Sequence, residues 1–230
     1  MFILVVGSQG FIGSKILFFC KQLNIPHMGL SRKLWLQIKN KDISKWCFER
    51  KITNIIYCAG YSRRFSSESI DKIDEIEVLS KFLKAKHSIL TYLSSSLVYG
   101  IRDNINENSN LKEDMICQPI GAYGIYKRIL ERFVLSANKK NKIIRLSSVI
   151  GKSKQSGLFK IIEEKIKANT KNIQMLYADS LRDYIFLDNA AKAILEISLN
   201  TNAEGIFNLG SGKGIKVTQI IRKFGNFYKK

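Results

Sequence analysis

Along this chain, unbroken apolar runs alternate with segments in which apolar residues recur every three or four positions. The first pattern suits strands buried on both faces of a sheet, and the second suits helices laid against it. "FILVVG" reads as a buried strand that passes through a glycine turn into a helix over about 11–23. "IPHMGL" is a second strand, and "ITNIIYCAG", rich in β-branched residues and closed by Gly60, is a third. Over about 69–85, Ile70, Ile73, Ile76, Val78, Leu79, Phe82 and Leu83 keep near the 3.6-residue period of a helix that feeds the strand "SILTYLSSS". A helix over about 120–138 and the strand "KIIRLSS" follow. From Gly151 the pattern loosens into a helix near 157–169, a short strand "IQMLY", a segment "RDYIFLDNAAKAILEISL" that turns from strand to helix at Asp188, a strand "GIFNLG" and a terminal amphipathic helix. Alternating strands and helices argue for βαβ units on a parallel sheet. The expectation is an α/β protein: a Rossmann-type doubly wound domain over 1–150, and over 151–230 a small, reduced C-terminal lobe interleaved with elements that return to the sheet.

Bulk properties narrow the class. A length of 230 residues supports one sizeable core, and 45% apolar and 10% aromatic residues exclude a disordered chain. The apolar N-terminal run has no basic leader and breaks at Gly7, and no segment approaches the roughly 18 uninterrupted apolar residues of a membrane span, so a cytoplasmic location is expected. Cys20, Cys47, Cys58 and Cys117 are widely separated and only His27 and His87 could complete a metal site, which favours free thiols and no metal. The formal charge of +19 invites a nucleic-acid partner. The lysines, however, are spread along the whole chain, so nucleic acid is not the expected partner, and an anionic, phosphate-bearing substrate fits the charge equally well.

Three stretches carry chemistry. "GSQGFIG" sets Gly7, Gly10 and Gly13 between the first strand and the first helix, where glycine permits a tight turn and the helix N-terminus offers unpaired amides to a pyrophosphate. "YLSSSLVYG" puts three serines at the end of a strand expected in the middle of the sheet, and ligands bind beyond such ends. "AYGIYKR" places Tyr123 and Lys127 on one face of a helix. A YxxxK spacing alone means little among nine tyrosines and many lysines, but its order after the other two stretches gives it weight.

With "VVGSQGFIG", "YCAG", "SSSLVYG", "AYGIYK", "RLSSVIG", "LRDYIFLDNAAKAI" and "FNLGSG" in order from Met1 to about residue 220, the chain resembles the extended short-chain dehydrogenase/reductases. These include nucleotide-sugar epimerases, dehydratases and ketoreductases. The resemblance implies that Tyr123 gives or takes a proton, that Lys127 lowers its pKa and holds the nicotinamide ribose, and that Ser95 is the catalytic serine, with Ser96 taking its place if the strand ends early. It implies a pyrophosphate loop of Gly7, Ser8, Gln9, Gly10, Phe11, Ile12 and Gly13. Ala59 and Gly60 would line the adenosine side, and Asp42 and Ile43 would lie beside the adenine. Arg182 would meet a substrate diphosphate, with an ion pair to Asp183 as the alternative, and Ser148 stands where the family often has a substrate-touching asparagine. Two departures stand out: "SIDKIDEI" replaces the family's asparagine motif, and the chain is shorter than a typical member, so a reduced substrate lobe is expected.

"GLSRK" decides the expected cofactor. NAD-specific relatives carry an acidic residue at the end of the second strand, whereas Ser31, Arg32 and Lys33 stand here and suit the 2′-phosphate of NADP. NADP is therefore favoured over NAD, and NADPH-dependent reduction of a nucleotide-linked keto-deoxysugar for surface polysaccharide is the expected activity. The alternatives are an NAD-dependent 4-epimerase or dehydratase and, in another class, a non-catalytic nucleotide- or RNA-binding protein. A homodimer through the helices at 69–85 and 120–138 is expected by the same resemblance.

Overall fold

The computed structural model describes residues 1–60, 75–100, 111–151 and 181–220, with the single positions 164, 168 and 222. In chain order the elements are β1 (Ile3–Val6), α1 (Phe11–Gln22), β2 (His27–Leu30), α2 (Arg32–Ile38), α3 (Ile43–Glu49), β3 (Asn54–Tyr57), α4 (Glu75–Leu83) and β4 (Ile89–Ser95). A 3-10 turn (Ser96–Tyr99), α5 (Ala122–Ala137), β5 (Lys142–Leu146), β6 (Ser148–Ile150), β7 (Leu181–Phe186), α6 (Leu187–Leu199), β8 (Gly205–Leu209) and β9 (Gly214–Lys216) follow. Six strands form a parallel sheet in the order β2-β1-β3-β4-β5-β8, and β6-β7-β9 make a second, small one. Among the described residues no helix is long and apolar enough to cross a membrane.

The two-residue period of the strands splits the core into two layers. Leu4, Val6, Ile55, Tyr57, Leu90, Tyr92 and Ile143 face Trp35, Trp46, Phe82, Leu130 and Val134 on one side of the sheet. Ile3, Val5, Ile56, Leu93 and Ile144 face Ile16, Phe19, Ile194 and Leu195 of α1 and α6 on the other. The α/β expectation is thus met, and α6 and β8 return to the main sheet from the C-terminal part of the chain. Missing from the sequence analysis were α2 and α3. Each is seven residues long, too short to display a period, and each is started by a side-chain cap: Ser31 accepts from the Leu34 amide and Asp42 from the Lys45 amide. β6 and β9, three residues each, were also unforeseen. The helix expected over 69–85 begins, among described residues, at Glu75. Apart from Glu164 and Ala168, the helix near 157–169 lies outside the described residues, as do "IQMLY" and most of the terminal helix.

From β1 the chain steps to β2 on one side and returns to β3 on the other, so the carboxyl ends of β1 and β3 flank a topological switch point. Gly7 sits there with φ +82°, and a Cβ on it would lie 2.7 Å from the Ala59 amide nitrogen. Only glycine allows β1 to turn this close to the chain leaving β3. A Cβ on Gly13 would run into the Gly7 carbonyl, so the first turn of α1 packs directly on that loop.

A buried polar network holds the other half of the sheet's carboxyl edge. Arg145 of β5 donates from Nε and Nη2 to the two carboxylate oxygens of Glu131 on α5, at 3.0 and 2.9 Å, and from Nη1 to Tyr99 Oη at 2.8 Å. Ser94 of β4 donates to the same Glu131 at 2.6 Å, and Tyr99 Oη donates to Asn208 Oδ1 of β8 at 2.7 Å. Both charged side chains are essentially inaccessible to solvent. Removing one partner of such a pair strands the other charge in the core. Glu131→Ala is therefore expected to lower unfolding free energy by about 3 to 5 kcal/mol, measured by urea unfolding of variant and parent.

Candidate active site

The site can be followed from the glycine turn outward. Gly7 and Ser8 donate their amides to Leu30 at the end of β2, which draws the following Ser31 and Arg32 toward the turn. Gly10 caps α1 without a side-chain bond, and no acidic residue stands in the first turn, so the helix presents bare amides as an anion site requires. Gly13 is buried, Ser8 nearly so, and Gln9 is exposed, with Phe11 and Ile12 between. Across the switch point Ala59 touches Gly7, and the next residue, Gly60, leaves room for two charged side chains: its Cβ would lie 3.1 Å from Glu75 Oε1 and 3.2 Å from Lys127 Nζ. Lys127 in turn lies 5.9 Å from the ring centre of Tyr123. Glycine turn, Ala59, Gly60, Lys127 and Tyr123 thus form one continuous line along the carboxyl edge of the sheet.

The serine strand keeps its register to the end. Ser94 is buried and bonded to Glu131, while Ser95 points to the opposite side and accepts from the Leu97 amide at 3.2 Å as it starts the 3-10 turn. β4 ends at Ser95, and Ser96 opens the 3-10 turn.

Other expected residues stand elsewhere. Arg32 and Lys33 are exposed at the start of α2, with Ser31 as its cap. The Asp42 carboxylate caps α3, and Ile43 is buried in the core. Ser148 and Arg182 lie half-buried on β6 and β7 of the small sheet. Asp183, named as the alternative partner of Arg182, accepts at Oδ1 from the amide and hydroxyl of Ser211 and at Oδ2 from the Gly212 amide. Among the described residues no cluster of three His, Cys, Asp or Glu could hold a metal, and all four cysteines are free. Burial raises the Cys20 thiol to about 11 and the Cys47 thiol to about 12, which leaves both inert at neutral pH.

Two site residues were missed from sequence. Lys127, only 4% exposed, donates to Tyr92 Oη at 2.8 Å and to Glu75 Oε1 and the Leu93 carbonyl at 3.3 Å. Tyr92 Oη donates to Glu75 Oε1 at 3.2 Å. The available signal was a glutamate on the stripe of α4 that also carries Val78, Leu79 and Phe82, where a charge must find a partner. These contacts also reverse an expectation. Burial, followed by the Glu75 charge, raises the Tyr123 phenol to about 12 instead of lowering it. Burial lowers the Lys127 pKa against the opposing pull of Glu75, and burial with the same carboxylate raises Tyr92 well above the usual phenol range. Burial is the larger cause at Tyr123 and the Glu75 charge adds to it, while the Lys127 ammonium is turned toward Glu75 and Tyr92.

Comparison with known proteins agrees with this geometry. The ADP-L-glycero-D-manno-heptose-6-epimerase of Brachyspira hyodysenteriae is 24% identical over 264 residues, spanning 99% of this chain and 81% of that protein. The homologous enzyme of Fusobacterium nucleatum is 21% identical over 92% of this chain and 75% of its own. Among solved structures, the UDP-glucose 4-epimerase of Thermotoga maritima with UDP-glucose superposes with a TM-score of 0.80 at 19% identity, covering 100% of this chain and 84% of that one. The dTDP-glucose 4,6-dehydratase of Bacillus anthracis in complex with NAD gives 0.79 at 18% identity, covering 100% and 81%. At such identities the superpositions establish a shared fold. A match over residues 3–210 establishes more: the chain belongs to the NAD dependent epimerase/dehydratase family.

Proposed function

We propose that this enzyme reduces the keto group of a nucleotide-linked sugar with a nicotinamide dinucleotide. The observation that carries the reading is the unbroken line from the Gly7 turn through Ala59 and Gly60 to Lys127 and Tyr123, with Ser95 on the neighbouring strand end. The bare amides of α1 and the glycine backbone would hold the pyrophosphate, and Gly60 with Lys127 would stand beside the nicotinamide ribose. When bound, the dinucleotide supplies the hydride. Tyr123 is a phenol at neutral pH and gives its proton to the developing alkoxide, and the Ser95 hydroxyl holds the same oxygen. Arg182, with Ser148 near it on the small sheet, would bind the substrate diphosphate, as a guanidinium suits phosphate oxygens. Ser31 and Arg32 beside the glycine turn favour NADP(H) over NAD(H).

A second reading, 4- or 6-epimerisation with retained NAD, is favoured by the curated relatives, which are named heptose 6-epimerases, and by solved relatives that hold NAD. It requires Tyr123 to act first as a base, which its raised pKa disfavours.

The exposed face of α5 suits a second copy of this chain. Ile125, Ile129 and Phe133, each four positions apart, are 46%, 56% and 39% exposed, and Ile76 of α4 is 43% exposed. Such a pair of apolar helices would bury this surface in a dimer.

Tyr123→Phe is expected to leave dinucleotide affinity unchanged while turnover of a keto-sugar panel falls by about a hundredfold or more; near-normal turnover would remove Tyr123 from the reaction. Fluorescence titration should show NADPH binding about ten- to a hundredfold tighter than NADH, with Arg32→Ala weakening NADPH alone. Equal affinities, or NAD copurifying with the protein, would turn the assignment to the epimerase. Arg182→Ala should raise KM for the nucleotide sugar more than it lowers kcat, because a diphosphate clamp serves ground and transition states alike. In sedimentation velocity the parent should run as a dimer and Ile129→Lys as a monomer.

A further inference from the structure

The residues that carry the family resemblance include Ser95, Tyr123 and Lys127 but not Glu75, which is nevertheless buried at the centre of the site. It is 5% exposed, and its Oε1 accepts from both Tyr92 and Lys127. Oε2 has no hydrogen-bond partner among the described residues. The carboxylate fits only because residue 60 is glycine, since a Cβ there would press on both oxygens at 3.1 and 3.3 Å. A fully buried carboxylate with one unsatisfied oxygen is costly, and a solvent-facing position would have avoided that cost.

The groups around it define what its charge can influence. From α5 come Lys127, Tyr123 and Glu131; from β4, Tyr92; and from β3 and the residue after it, Tyr57 and Cys58. Glu131 is neutralised by Arg145 and Arg128. Tyr57 and Tyr92 are phenols, and burial keeps the Cys58 thiol protonated. Among the described residues, the balance of charge at Tyr123 therefore lies between Glu75 and Lys127. The ammonium spends its three donors on Glu75, Tyr92 and the Leu93 carbonyl.

We propose that Glu75 is a positioning residue that sets the direction of proton transfer: it holds Lys127 on the Tyr92 side and cancels its charge, so that Tyr123 meets the substrate as a proton donor. The proposal rests on the reductase reading and deepens it. In that reaction the carbonyl carbon gains a hydride from the reduced dinucleotide, the carbonyl oxygen gains the Tyr123 proton, and the phenolate left behind is reprotonated from solvent. A site built to begin from an alcohol would need the opposite charge balance, with an uncompensated ammonium to hold a phenolate ready as base.

The test is a titration of Tyr123 by NMR in protein labelled with 13C at tyrosine Cζ, its resonance assigned by its loss in Tyr123→Phe. Glu75→Gln should move the phenol titration down by about one to two pH units, and Glu75→Asp, which keeps the charge, should restore parent behaviour. A folded Glu75→Gln protein with an unshifted Tyr123 would overturn the proposal. Should that variant fail to fold, the comparison moves to Lys127→Met and the doubly neutral Glu75→Gln/Lys127→Met, in which no buried charge is left unpaired. Lys127→Met should titrate higher than the parent and the double variant should return close to it; equal titration of the two would overturn the proposal equally. These measurements need neither dinucleotide nor sugar. An unshifted Tyr123 therefore counts against Glu75 alone, and failure of every keto sugar to turn over counts against the proposed reaction alone.

Discussion

Arg145 and Glu131 meet where β4, β5, β8 and α5 converge, and their bidentate contact fixes more geometry than any apolar layer at that end of the sheet. Apolar packing sets the distance between helix and sheet but tolerates sliding by a turn, whereas two parallel N–H···O bonds tolerate none. Glu131 lies one helical turn beyond Lys127 and two beyond Tyr123, so fixing its carboxylate fixes the face that both present. By accepting from Ser94, the same carboxylate sets the rotation of β4 about its axis and aims Ser95 the other way. The placement of Tyr123 and Lys127 and the rotation of Ser95 thus all depend on one buried carboxylate.

Charge is distributed unevenly through this interior. The strands' middle positions are apolar on both faces, while the carboxyl edge contains two buried ion pairs, Arg145 with Glu131 and Lys127 with Glu75. The first is fully satisfied: burial disfavours the Arg145 cation, yet its bonds to Glu131 and Tyr99 more than offset this and raise its pKa. In the second, one carboxylate oxygen has no partner among the described residues, and burial lowers the Lys127 pKa against the pull of Glu75. A second buried lysine, Lys142, serves the opposite edge, donating to the carbonyls of Ile197, Ser198 and Asn200 and so tying down the end of α6.

What the sequence disclosed followed from strong local signals. Long apolar runs such as "ILVV" and "IIRL" can only be strands of a two-layered sheet, and glycines at Gly7, Gly10 and Gly13 after the first of them mark the switch point whatever the ligand. What stayed hidden was short or long-range. Two helices of seven residues show no period, and their caps, Ser31 and Asp42, look like candidate ligand groups in a linear reading. Glu75 and Lys127 are far apart in sequence and joined only by the fold, so the sign of their effect on Tyr123 could not be read from "AYGIYK" alone.

The last strand to join the main sheet gives the site a history as well as a shape. β8 pairs in parallel with β5 only after the chain has passed through α6, and Asn208 on it accepts a hydrogen bond from Tyr99, the residue to which Arg145 also donates. During synthesis from the N-terminus, the glycine turn and the Tyr123 helix emerge well before this closing strand. Until β8 is available, Tyr99 lacks its acceptor Asn208 and β5 remains an open edge. A nascent chain that has reached α5 but not β8 thus has its glycine turn complete while the Arg145 side of the sheet is still open. Ribosome-bound chains halted before β8 would be the species in this protein's life most exposed to edge-to-edge misassembly.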